Sequence, residues 1–236
     1  MNSVRPNPGM ANKMLRTVGA DKDCLLPATG EKERQMSEPS YRDRLREEIL
    51  ALAGRLLETE GLDALQARRI AKEADCSVGT IYNIFGDIDG LILAANSRTL
   101  TAMGRALTAA LDEAKRLPVK DRLMALAIAY MHFALENQPQ WEAVFKYRRP
   151  PGAETPPAYL DDQARLLALI EGVIGEIVPV TEHRARTARA LFGAVHGIVA
   201  LALDNRLGGR MRAEIEDQVK FIVDIVARGL TKSVAV

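Results

Sequence analysis

Arg68-Arg69-Ile70-Ala71-Lys72-Glu73-Ala74-Asp75-Cys76-Ser77-Val78-Gly79-Thr80-Ile81-Tyr82-Asn83-Ile84-Phe85-Gly86-Asp87-Ile88-Asp89-Gly90-Leu91-Ile92 decides how this chain folds. Ile70, Ala71 and Ala74 share one face of a short helix. Val78, Ile81 and Phe85 share one face of a second, at spacings of three and four. Ser77 stands between them where an N-cap belongs, and Asp87 caps a third helix that begins just past Gly86. With its apolar residues turned inward, the second helix presents Gly79, Thr80, Tyr82 and Asn83 outward. This is the pattern of a helix-turn-helix, whose second helix enters the major groove of double-stranded DNA.

Outward from this stretch the chain reads as all-α. Upstream, Leu45, Ile49, Leu52, Leu56 and Leu57 form the apolar stripe of a helix over 41–60 that Gly61 closes. Downstream, a long helix over 88–116 ends at Pro118, and another covers 119–137. Gln138 and Pro139 break that helix, with a short helical turn over 141–145 beyond them. A proline-rich loop follows over 148–157. Three more helices cover 158–177, 182–207 and 211–231, the last two separated by Gly208-Gly209. Residues 1–39, polar and broken by prolines and glycines, read as a disordered tail. The expected organisation is therefore that tail, a DNA-binding domain over 40–87, and a larger helical domain over 88–236, to which the family resemblance given below assigns ligand binding and dimerisation.

Composition agrees with this class. Apolar residues make up 47% of the 236, enough for a core, while aromatic residues are only 5%. No period-two runs of Val, Ile and Thr are present, no apolar run suggests a membrane span, and the polar N-terminus lacks a secretory h-region. Two cysteines, Cys24 and Cys76, are no disulfide framework, which fits a reducing, cytoplasmic setting. Net charge is only +1. Between Ser40 and Leu100 eight cations face ten acids, a local balance of about −2, so phosphate binding has to rely on placed cations rather than on overall charge.

Gly61-Leu62-Asp63-Ala64-Leu65, then Arg68-Arg69-Ile70-Ala71, then Ser77-Val78-Gly79-Thr80-Ile81-Tyr82-Asn83-Ile84-Phe85 resemble the N-terminal domain of the tetracycline-repressor-like (TetR) family over about residues 42–95. The resemblance implies an all-helical, homodimeric bacterial transcription regulator whose C-terminal domain binds a small-molecule effector, usually releasing DNA. Phe192-Gly193-Ala194-Val195-His196-Gly197 also resembles the Trp-x-x-x-His-Gly pattern of one branch, with Phe192 in the Trp position. The chain departs from the family at Gln66, where Thr is common as a cap. It departs again at Asn83, at Ile84 and at Ile88, where Arg or Tyr, His and Lys are common. Between Ser77 and Ile92 there is no Lys or Arg.

The candidate DNA contacts are Arg42, Arg44, Arg68, Arg69, Ser77, Val78, Gly79, Thr80, Tyr82 and Asn83. Thr80 and Tyr82 carry hydroxyls suited to phosphate or base edges, and Asn83 is able to bridge adenine N6 and N7. Gly79 allows close approach to DNA or, alternatively, a tight contact with the preceding helix. One of Arg68 and Arg69 is expected on phosphate and the other on Glu58 or Glu73. Cys76, in the turn, reads as a structural thiol. The candidate effector-binding groups are Tyr130, Phe133, Trp141, Phe145, Phe192 and His196, each equally a core residue by type. The last two helices read as a dimer interface. Ala188, Gly193, Gly197 and Ala200 allow close approach there, and Ile215, Val219, Ile222, Val226 and Leu230 form a stripe.

No cofactor is expected. The three histidines lack metal-ligand spacing, and neither a Gly-rich phosphate loop after a strand nor a Ser-centred nucleophile elbow is present, so catalysis is not expected. The expected function is a ligand-responsive regulator, a repressor, on a near-palindromic operator. The alternative is a DNA-binding protein whose C-terminal bundle is a protein-interaction module without a small ligand.

Overall fold

A computed structural model of the chain describes residues 40–178, 180–204 and 211–233, and their regular structure is helical. The expected tail over 1–39 and the Gly208-Gly209 break lie outside the described residues. Helix α1 spans Tyr41–Glu60, and Ser40 starts it with a capping box: its Oγ accepts from the Asp43 amide while the Asp43 carboxylate accepts from the Ser40 amide, each at 3.2 Å. Gly61, at φ +80°, ends it as expected. A 3-10 turn over Leu62–Ala64 leads to α2, Ala67–Glu73, then α3, Val78–Phe85, and the long α4, Ile88–Glu113. The rest is α5, Val119–Glu136; α6, Gln138–Lys146; α7, Pro157–Ile174; α8, Thr181–Leu203; and α9, Arg212–Ser233.

Two differences from the expected elements have a simple cause. The helix before Gln138 and Pro139 ends at Glu136, as expected, but these two residues already begin α6 instead of leaving it to start at 141, because a proline in a helix's first turn gives up an amide that has no partner there anyway. Pro157 likewise opens α7. The third difference is α8, which is, among the described residues, long and apolar enough by length and composition to cross a membrane. It packs against α5, α7 and α9.

Two apolar cores form. The first closes the helix-turn-helix: Ile49, Ile70, Ile81 and Leu91, all with no exposed surface, meet from α1, α2, α3 and α4. Each such side chain stabilises the fold by about 1.5–3 kcal/mol relative to exposure. Ala143 of α6 reaches into this same core. The second core lies in the C-terminal bundle, with Met103, Leu123, Met131, Trp141, Ile174, Val199 and Val219 at its centre.

The stripe expected to meet a second copy faces inward. Ile215 and Val219 are buried within the chain, and Ile222, Val226 and Leu230 pack against the same core, as α9 lies on α5 and α8. Ala188 is buried there too. Helical periodicity identifies a buried face without saying whether the partner is the same chain. The face left open carries Leu201 on α8 and Phe221 and Ile225 on α9, with Phe221 69% exposed.

Candidate functional site

Helix α3 is held at both ends. The Ser77 Oγ accepts the Thr80 amide proton at 3.0 Å and hydrogen-bonds the Thr80 hydroxyl at 2.9 Å. The preceding turn is a Schellman motif: Cys76 N–H donates to the Ala71 carbonyl at 2.9 Å and Asp75 N–H to that of Lys72 at 3.4 Å. Asp75 takes the left-handed position at φ +48°, where glycine is usual. Cys76 packs its half-buried side chain on the N-terminal core, and burial, with the Asp75 carboxylate beside it, pushes the thiol above its usual range. That disfavours the reactive thiolate.

At the far end Gly86 turns the chain at φ +87°. The Asp87 carboxylate accepts the Gly90 amide proton at 2.6 Å, the cap expected for α4. A Cβ on Gly90 would fall 2.0 Å from the Phe85 carbonyl oxygen, so only glycine lets the first turn of α4 pass this close to the end of α3.

Of the candidates on and before α3, Ser77, Gly79, Tyr82 and Asn83 are exposed and Thr80 is half-buried, while Val78 packs its side chain on the core. A Cβ on Gly79 would meet only the Ser77 Oγ, at 3.5 Å, an ordinary contact. The preceding helix therefore does not require this glycine. The arginines divide. The Arg42 guanidinium donates to the Asn83 carbonyl at 2.7 Å, bringing α1 onto the end of α3. Arg46 lies over the Phe85 ring, 5.4 Å from its centroid. Arg44 and Arg68 are exposed. Arg69 is engaged by Glu60 through both terminal nitrogens, at 2.6 and 2.7 Å, and by Glu73 through Nε at 2.8 Å. Those hydrogen bonds hold the Glu60 carboxyl below its usual range. Gln66 forms no cap on α2; its amide donates instead to the Asp63 carbonyl at 3.2 Å.

The C-terminal bundle encloses a cavity of about 270 Å³ between α4, α5, α6, α7 and α8. Tyr130, Phe145 and Phe192, three of the candidate effector-binding groups, line it. Trp141 and His196 stand behind this wall, and Phe133 packs on the core away from the lining. Trp141 Nε1–H donates to the Tyr130 oxygen at 2.9 Å, and the Tyr130 hydroxyl lies 2.7 Å from His196 Nδ1. An indole only donates, so the Tyr130 oxygen accepts from Trp141; in the Tyr130–His196 hydrogen bond the imidazole tautomer decides which partner donates. Burial lowers the imidazole's pKa and so favours its neutral form. The sequence reading missed the opposite wall, where Met103 and Leu107 of α4 face Leu166 and Ile170 of α7. These read as ordinary amphipathic stripe, and nothing in their spacing marks a void. Among the described residues no group of three or more His, Cys, Asp or Glu side chains could hold a metal ion.

Helix α6 links cavity and helix-turn-helix. Phe145 lines the cavity, while Ala143 lies in the N-terminal core and its carbonyl accepts from the buried Asn96 amide of α4 at 3.0 Å. Tyr147, just beyond α6, donates its hydroxyl proton to Asp89 in the first turn of α4.

Sequence comparison matches residues 49–95 to the bacterial regulatory proteins of the tetR family, and residues 123–226 to the tetracyclin repressor-like C-terminal domain. The chain belongs to the TetR family. It is a TetR-family transcription regulator with a DNA-binding helix-turn-helix, and the N-terminal match runs from within α1 through α2 and α3 into the start of α4. A comparison with curated proteins gave no match. Among solved structures, the chain is similar to a protein of unknown function from Rhodococcus sp. RHA1, with 28% identity and a TM-score of 0.65, over 84% of this chain and 100% of that one. It shares its fold with a tetR-family transcriptional regulator from Streptomyces coelicolor (20% identity, TM-score 0.60, 81% of this chain and 88% of that one). It also shares its fold with a TetR transcriptional regulator from Rhodococcus sp. RHA1 (17% identity, TM-score 0.54, 78% and 96%).

Proposed function

We propose that this TetR-family regulator is a cytoplasmic, ligand-responsive repressor that binds a near-palindromic operator as a homodimer, and that it regulates rather than catalyses. Residues 40–87 read DNA, and residues 88–236 bind the effector and dimerise. Ser77, Gly79, Thr80, Tyr82 and Asn83 meet the major groove, Arg44 and Arg68 meet phosphate, and Arg42 positions α3 from behind. Arg69 is given to its glutamates, and Val78 anchors α3 in the core. Two copies joined through the open faces of α8 and α9 would hold two α3 helices about 34–36 Å apart, one turn of DNA. Gly193, Gly197 and Gly229 support this joint, because a Cβ on any of them would meet nothing in its own chain.

The observation that carries the ligand response is the double engagement of α6, with Phe145 in the cavity wall and Ala143 in the helix-turn-helix core. A ligand pressing on Phe145 shifts α6 and, through Asn96 and Tyr147, the start of α4. It switches the protein only insofar as it favours one arrangement over the other. The cavity also favours a sensor over a protein-interaction module. An apolar pocket of this size leaves its lining side chains short of packing partners, which a bound ligand supplies. The rings of Phe192 and His196 lie close together, with centroids 5.5 Å apart.

Selection of bound duplexes from a random pool, followed by footprinting, tests the DNA half. The expected product is an inverted repeat with half-sites one turn apart, bound by a dimer. Recovery of no sequence preference would sink the reading.

A further inference from the structure

We propose that the effector is an uncharged, largely hydrocarbon molecule of one ring with a short chain, and that carboxylate and ammonium compounds of the same shape are excluded. This rests on the reading of the cavity as the effector site. Among the described residues that line it there is no Asp, Glu, Lys, Arg or His. The wall is Leu, Ile, Met, Val and Ala, with the rings of Tyr130, Phe145 and Phe192 on one side. Only two lining groups are polar. The Tyr130 hydroxyl already accepts from Trp141 and shares a second hydrogen bond with His196, which leaves it one further hydrogen bond to make with a ligand. Gln163 stands on the exposed side of α7 and belongs to the rim. A carboxylate in this space would find no cation, with the Tyr130 hydroxyl and the rim amide the only polar side chains near it, and an ammonium would find no anion. A buried charge without a partner loses its hydration with little in return.

Size follows from volume. A cavity of about 150 Å³ lined by Leu, Ile and Phe holds benzene, and 270 Å³ is a little under twice that. The polar end of such a molecule is a hydroxyl that hydrogen-bonds Tyr130, or a neutral group at the Gln163 rim.

The test uses the full-length protein and three probes of one shape: para-butylbenzyl alcohol, para-butylbenzoate and para-butylbenzylammonium, at neutral pH. Trp141 is the only tryptophan, and its indole is hydrogen-bonded to the cavity-lining Tyr130, so its fluorescence reports occupancy. Melting temperature is the second readout. The alcohol is expected to bind, and both ions to bind at least about tenfold more weakly. Ala127→Phe and, on another wall, Leu166→Phe fill the cavity and should each abolish alcohol binding while the far-ultraviolet circular dichroism is unchanged. If either ion binds within tenfold of the alcohol and the filled variants lose it, the cavity is a ligand site and the proposed class is wrong. If no probe binds, or binding survives in both filled variants, the effector-site reading itself falls.

Discussion

The Arg42 side chain reaches from the start of α1 to the main-chain carbonyl of Asn83 in the last turn of α3, 41 residues away in sequence, and donates to it at 2.7 Å. A cation at a helix C-terminus satisfies a carbonyl without an intrahelical partner and complements the negative end of the dipole. The contact is exposed, so its contribution to global stability is small. Its contribution to the angle of α3 is direct. Arg42→Ala is expected to weaken operator binding about five- to tenfold by mobility shift, with a change in unfolding free energy below about 1 kcal/mol. A loss of binding matched by an equal loss of stability would mean that Arg42 serves folding alone.

Two glycines near α3 should behave oppositely. A Cβ on Gly79 would make only an ordinary contact, 3.5 Å from the Ser77 Oγ, whereas one on Gly90 would fall 2.0 Å from a carbonyl oxygen. Gly79→Ala should raise stability by up to about 1 kcal/mol through helix propensity and still weaken DNA binding, because the new methyl holds the helix off the groove. Gly90→Ala should destabilise the protein, visible as a lower urea midpoint with operator affinity falling alongside. If Gly79→Ala binds DNA as wild type does, close approach at that position is refuted.

The turn before α3 is open to improvement. Asp75 occupies the left-handed position of a Schellman motif at φ +48°. An L-residue there costs roughly 1–2 kcal/mol, less for Asp and Asn, and glycine avoids the penalty at some entropic cost. Asp75→Gly should therefore stabilise the fold by a few tenths to about 1 kcal/mol in chemical denaturation.

How much of this was legible in the sequence differs by element. Ile70, Ile81 and Phe85 announced the helix-turn-helix because three independent signals agreed: helical spacing, the Ser77 and Asp87 caps, and the Gly86 turn. The partner of Arg69 was only half legible. Glu73 lies one helical turn away, but Glu60 reaches Arg69 only because Gly61 and the 3-10 turn fold α1 back toward α2. The α9 stripe was read correctly as buried and assigned to the wrong partner. The cavity wall formed by α4 and α7 was invisible, since a void is a property of packing and not of any one residue's type. Pro139 marked the end of α5 but hid the start of α6, because a proline's cost depends on where in a helix it falls.

Acid should expose the state of His196. Burial holds its imidazole below the usual value of 6.5, so the folded protein keeps it neutral where the unfolded chain protonates it. As pH falls from 6.5 toward the lower folded value, the unfolded state binds more protons and stability declines; below the folded value the decline stops. Urea unfolding followed from about pH 7.5 to about pH 5 should show this slope in the wild type and a flatter one in His196→Asn. Carboxylates held low by hydrogen bonds, such as Asp43 and Glu60, lose their contribution only below their ordinary 3.8 and 4.5, outside this window. An unchanged slope in His196→Asn would remove the buried neutral imidazole as its cause.

The contact between Tyr147 and Asp89 is where coupling and binding are expected to separate. Tyr147 follows α6 directly, and Asp89 sits in the first turn of α4, three residues before Ile92 of the helix-turn-helix core. Burial and the nearby carboxylate raise the phenol's pKa, so it stays protonated and donates. Tyr147→Phe keeps the ring and removes only this donor. Ligand binding, which depends on Phe145 and the cavity, should change less than about twofold, while the ratio of operator affinities with and without ligand shrinks toward unity. A coupling of about 1–3 kcal/mol is ordinary for two linked sites, and a hydrogen bond to a charged acceptor is worth about 1.5–3, so one such bond is large enough to matter. Equal ligand release of the wild type and of Tyr147→Phe would place the coupling elsewhere on α6, with the Asn96–Ala143 bond the next to break.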